Sequence, residues 1–289
     1  MFDRVAAVYD PLNTLMSAGL HHRWRVRAAD LARVGPGSRV LDVATGTGDL
    51  AIELASRVLP GGEVIGSDFS EGMLSRARVK GEKALGASSS GQSKSFTPGD
   101  FSGQSASRAV GGWAGRSQDF APDGPEGSGQ PTGLRFEWGD ALELPYADGS
   151  FDAATVGFAA RNFSDLRRGL AEMARVVRPG GRVVVLEFTT PTRPPLSLFF
   201  SVWFDRVVPI LGKLTAPLAA LLPKAKTGGS QTTIAEAYTY LPNSVKRFLS
   251  PPELASEMQR VGLSEISYLL TAGGIVTIHA ATVPGDGIT

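Results

Sequence analysis

Cysteine is absent from the 289 residues, which excludes disulfides, thiolate zinc sites and cysteine nucleophiles. Charge of one sign is not in excess either. The formal net charge of +1 gives no global attraction to nucleic acid or acidic lipid. No uncharged apolar run reaches the roughly 18–20 residues that span a bilayer. The segment Met1–Asp10 lacks a long apolar stretch and carries early acids, unlike a secretory signal. A cytoplasmic protein is the expectation. The acids are too dispersed to claim a metal cluster. What remains is a globular composition, 42% hydrophobic and 20% charged, in one large α/β domain or two small ones.

The most informative segment is Val40–Leu50, with Asp42 inside a buried strand, a turn through Gly46 and Gly48, and the start of a helix. A second acid, Asp68, ends the next apolar run. Glycines allow a tight turn and close approach of a ligand to the backbone. The pattern Gly46-x-Gly48-x-x-Ala51 followed by Asp68 also fits a nicotinamide dinucleotide site. That site must hold a dianionic pyrophosphate at the helix N-terminus, and a carboxylate within the strand would repel it. S-adenosylmethionine carries an ammonium, a sulfonium and a ribose diol, all of which acids serve. The loop therefore favours a methyl donor over a dinucleotide, and both over a plain βα turn.

Along the chain, residues 1–35 read as a helical cap. Strands are expected near 39–43, 63–67, 134–138, 151–156 and 182–187, with helices near 48–58, 70–84 and 166–177. Between 86 and 131, Ser, Gly, Pro and Gln dominate without periodicity, so a disordered insertion is expected. Residues 263–270 and 274–281 read as a hairpin at the sheet edge. Strands alternating with helices predict a mostly parallel sheet with ligands beyond the carboxyl ends of the strands.

Several segments together resemble the ubiquinone/menaquinone biosynthesis C-methyltransferases. They include Phe2-Asp3-x-Val5-Ala6-x-x-Tyr9-Asp10, the glycine loop, Gly139-Asp140-Ala141-x-x-Leu144-Pro145, Arg161-Asn162, Arg178-Pro179-Gly180-Gly181 and Leu186-Glu187-Phe188. The resemblance covers nearly all of the chain except the insertion. It implies the class I S-adenosylmethionine-dependent methyltransferase fold, a Rossmann-like, mostly parallel seven-stranded sheet with a C-terminal antiparallel hairpin. It also implies donor contacts from Thr47, Asp68, Asp140 and Ala141, beside the loop glycines Gly46 and Gly48. Asp68 suits the ribose hydroxyls, Asp140 the adenine amino group, and Asp42 the methionine ammonium. Where many members carry Ser, this chain has Gly157, so a hydroxyl contact at that rim position is lost.

The resemblance implies transfer of a methyl group to a ring carbon of demethylmenaquinol, a prenylated quinol. A ubiquinone-pathway benzoquinol or another phenolic acceptor remains open, as does a non-catalytic donor-binding subunit. The acceptor must lose a phenolic proton that ordinarily titrates near pH 10, so a nearby cation would help. Arg161 is the candidate, against a structural salt bridge to Asp165. Asn162 either binds the quinol oxygen or caps the next helix. Tyr9 and Asp10 either close over the site or pack. His21 and His22 point to different helix faces and read as a solvated pair. The apolar, proline-punctuated stretch 191–223, within a lid assigned to 191–250, suits an isoprenoid tail and peripheral contact with the inner membrane face. Core packing and a homodimer contact are the alternatives.

Overall fold

The computed structural model describes residues 20–90, 133–191, 194, 197 and 244–285. Within them, helix α1 (His21–Leu31) precedes β1 (Arg39–Val43), α2 (Asp49–Val58), β2 (Glu63–Asp68) and α3 (Glu71–Ser90). After the undescribed stretch come β3 (Leu134–Trp138), β4 (Phe151–Gly157), α4 (Leu166–Val176) and β5 (Val177–Phe188). The final elements are α5 (Pro251–Arg260), β6 (Ser264–Thr271) and β7 (Val276–Thr282).

The seven strands form one sheet in the order β3-β2-β1-β4-β5-β7-β6. β1 to β5 pair in parallel, and β7 runs antiparallel to both β5 and β6. The C-terminal hairpin expected from the sequence is present, but β7 inserts beside β5 and leaves β6 at the edge. Successive side chains on a strand face opposite ways, and both faces are covered. Val40, Val184, Leu186 and Ile278 pack with Trp24, Leu54 and Leu74 of α1, α2 and α3. Leu41, Val43, Val183 and Val185 pack with Leu170, Met173, Leu254 and Met258 of α4 and α5. Strand order reverses between β1 and β4, which opens a crevice at their carboxyl ends.

Local signals explain most element ends. Ser70 caps α3 by accepting from the Met73 amide at 3.2 Å, and Asp165 caps α4 by accepting from the Arg168 amide at 3.0 Å. Ser250 and Glu253 form a capping box at the start of α5. α3 continues through Gly86 to Ser90, past the expected end near 84 and into the start of the expected insertion. A glycine and serines cost a helix only about 1 kcal/mol or less each, so they do not stop a helix already propagating. The remainder of 86–131 lies outside the described residues, as do Tyr9, Asp10 and nearly all of the 191–250 segment. Among the described residues no helix is long and apolar enough to cross a membrane.

Candidate functional site

A cavity of about 240 Å³ lies at the carboxyl ends of β1, β2 and β4, with room for an organic ligand rather than a single water. Its floor is the loop Ala44–Thr47, and its walls come from Asp68-Phe69, Gly139–Leu142 and Gly157–Ala159. Of the eight donor-site candidates read from the sequence, Asp42, Gly46, Thr47, Asp68, Asp140, Ala141 and Gly157 line it. Gly48 does not.

The two loop glycines have different work. Both adopt left-handed φ, +58° at Gly46 and +84° at Gly48. A Cβ on Gly46 would meet nothing within 4 Å, whereas one on Gly48 would come 2.8 Å from a Phe136 ring carbon. Gly46 leaves its backbone open to a ligand; Gly48 lets α2 start against the β3 side chain. Five described non-glycine residues share the left-handed region: Arg33, Glu265 and Ala272 elsewhere, and here Ala44 at +49° and Phe158 at +59°. The last two follow the ends of adjacent strands β1 and β4, and both line the cavity. Strain of this kind costs on the order of 1–2 kcal/mol each, and these two instances lie where the ligand would sit.

Asp42 is buried and accepts Thr45 Oγ1 and Thr155 Oγ1, each at 2.6 Å. Burial pushes its carboxyl up to about 6, opposed by the two hydroxyls and by the charge of Arg25, with Asp68 adding to the rise. At neutral pH Asp42 carries a charge that a cationic ligand would relieve. Asp68 is oriented by the backbone: one oxygen accepts the Gly46 amide at 2.8 Å and the other the Ser70 amide at 2.9 Å. Asp140 accepts the Leu142 amide at 2.9 Å, which fixes the turn that presents Ala141.

The sequence reading missed Phe69, exposed and directly after the ribose acid, with its carbonyl held by Trp138 Nε1 at 3.1 Å. It lines the same cavity as Asp68 and Asp140. It also missed Arg25 of α1, which reaches the cavity wall and pairs with Asp49 at 3.1 Å.

The sequence predicts Arg161 as a cation facing the acceptor. It does not line the cavity; its guanidinium pairs with Glu187 at 2.8 Å, donates to the Phe158 carbonyl at 2.5 Å and lies over the Phe188 ring. The partner is the strand-end acid rather than Asp165, because Arg161 sits in a short 3-10 turn, Ala160–Asn162, folded back onto β5. Asn162 does line the cavity, and the helix cap belongs to Asp165. His21 is buried against α2 while His22 is exposed, so the pair is not jointly solvated. Among the described residues no group of His, Asp and Glu is arranged to hold a metal.

The ubiE/COQ5 methyltransferase family matches residues 1–88 and 127–283. This chain belongs to that family. The unmatched stretch, 89–126, falls inside the Ser/Gly/Pro-rich segment. A demethylmenaquinone methyltransferase of Thermus thermophilus is 38% identical over 98% of this chain and 100% of its own. A ubiquinone/menaquinone biosynthesis C-methyltransferase of Geobacter sulfurreducens is 34% identical over 96% of this chain and 85% of its own. In fold, the chain is similar to a putative S-adenosyl-L-methionine-dependent methyltransferase of Methanococcus maripaludis, with a TM-score of 0.54, 12% identity, and coverage of 100% and 97%. The fold is that of the class I methyltransferases, and the enzyme is a methyltransferase with S-adenosylmethionine as co-substrate.

Proposed function

We propose that this enzyme methylates a ring carbon of demethylmenaquinol to give menaquinol, with the donor in the cavity described above. The observation that carries the reading is the acid set Asp42, Asp68 and Asp140 on one cavity. It suits a sulfonium ligand and repels a pyrophosphate. The acceptor assignment is supported by relatives of 33–38% identity over nearly the whole chain that carry that name. Asp68 takes the ribose, Asp140 and Ala141 the adenine edge, Phe69 the adenine face, and Asp42 the ammonium.

The donor supplies an activated methyl group. The protein's part is to align sulfur, methyl and ring carbon, a proximity effect worth up to several kcal/mol. The ring carbon's electrons form the new bond while the carbon–sulfur pair returns to sulfur, leaving S-adenosylhomocysteine. Loss of the ring proton then restores aromaticity. Asn162, on the cavity wall, holds a quinol oxygen through its amide. Arg161 acts one step back, bracing the Phe158–Asn162 turn against Glu187. The apolar composition of 191–223 supports a lid over the prenyl tail and peripheral membrane contact.

Incubating the enzyme with labelled donor and reduced demethylmenaquinol tests this. Label in the ring-methylated naphthoquinol is the expected product. Turnover confined to the benzoquinol would favour the ubiquinone pathway, for which the Geobacter relative is also named. Donor binding without turnover of either would make the chain a binding subunit. Flotation with prenylquinone-loaded liposomes tests the membrane contact.

A further inference from the structure

The cavity is rich in acids, yet the methyl donor is a zwitterion at its amino-acid end and brings a carboxylate of its own. Among the described residues lining the cavity, Arg25 is the one cation. It is 8% exposed, and its Nη1 is buried without a hydrogen-bond acceptor among them. A guanidinium nitrogen left bare in the interior is costly, so a ligand acceptor is expected to meet it when the site is filled.

Neighbouring groups set its position. Nη2 pairs with Asp49 at 3.1 Å, and the guanidinium carbon lies 6.0 Å from the Phe158 ring centroid. Asp49 is also bound by Lys80, whose ammonium reaches Thr47 Oγ1 at 3.1 Å as well. Arg25 and Lys80 together therefore hold Asp49 well below the ordinary carboxylate range, although burial works the other way. Two cations face Asp49 here, and the charge of Arg25 reaches Asp42 as well. This group sits beside the glycine loop. With the ribose at Asp68 and the base at Asp140, the amino-acid end of the donor runs toward that loop.

We infer that Arg25 is a donor-binding residue, its free Nη1 receiving the carboxylate of S-adenosylmethionine while Asp42 serves the ammonium. The two ends of the zwitterion are thus read by opposite charges from different elements, α1 and β1. Helix α1 becomes part of the binding site rather than only a cap on the sheet. The inference rests on the methyl-donor reading of the cavity.

The test is calorimetric titration of wild type, Arg25→Met and Arg25→Lys with S-adenosylmethionine and with its decarboxylated analogue, which keeps ammonium and sulfonium. Wild type should prefer the carboxylated ligand. Arg25→Met should lose about 10- to 100-fold in affinity for it and change less than about threefold toward the analogue. Arg25→Lys, which keeps the charge without the planar fork, should recover part of the loss and serves alone if the Met variant does not fold. Equal losses for both ligands, or no loss for either, would overturn the assignment and leave Arg25 a structural partner of Asp49. Failure of wild type to bind either ligand would instead sink the methyl-donor reading itself.

Discussion

Arg161 and Glu187 meet at 2.8 Å with side chains only 7% and 1% exposed, joining the turn after β4 to the end of β5. Glu187 also accepts the Arg161 and Phe188 amides. Removing one member of a buried ion pair leaves the other without a counter-charge, a loss of roughly 3–5 kcal/mol. Arg161→Met should therefore lower the urea midpoint strongly, and adding Glu187→Gln should restore part of it. An Arg161→Met protein as stable as wild type but inactive would instead put the guanidinium at the acceptor.

Asp42 titrates near 6 in the fold and near 3.8 when unfolded. The folded state then holds more protons between these values, so stability from this group is greatest below pH 3.8 and is lost as pH rises through 6. At pH 7 the ionised carboxylate costs about 3 kcal/mol. Asp42→Asn should raise the ligand-free Tm at pH 7 while weakening donor affinity. A lower Tm, with affinity retained, would contradict the electrostatic account.

His279 behaves in the opposite sense. It is buried in β7, bonded through Nε2 to the Pro251 carbonyl at 2.9 Å, and burial pulls its pKa down to about 4 from 6.5. The unfolded chain binds the extra proton between those values, so stability present above pH 6.5 is lost as pH falls toward 4. The full effect is about 3 kcal/mol. His279→Gln should flatten the acid side of a urea-midpoint profile relative to wild type. An unchanged slope between pH 6.5 and 4 would show that the ring is protonated in the fold.

Gly157 lines the cavity, and a Cβ there would stand 3.3 Å from Leu50 Cδ2, the end of a flexible side chain. Gly157→Ser should fold normally and, by adding a hydroxyl to the rim, tighten donor binding about 2- to 10-fold. Weaker binding in a titration would mean that Leu50 does not yield.

The sheet was legible because each strand announces itself locally. Val40-Leu41, Val64-Ile65 and Val183–Leu186 are apolar, mostly β-branched runs bounded by Gly, Pro or charged residues. Asp42 and Asp68 were legible as site residues because an acid inside or at the end of such a run has no packing reason to be there. Arg25 was harder to read. Its one signal is an arginine within the buried stripe His21, Trp24, Ala28 and Ala29 of α1, at helical spacing. The partner of Arg161 lies 26 residues away on another strand, so no local pattern announces it; only the strand order brings Glu187 beside the turn.

Carboxylates shape this cavity for a sulfonium ligand and against a pyrophosphate. Calorimetry at pH 7 with S-adenosylhomocysteine and NADH in parallel decides between the two. Saturable binding of S-adenosylhomocysteine, lost in Asp68→Ala, with no heat from NADH is expected; tight NADH binding with no response to S-adenosylhomocysteine would overturn the assignment.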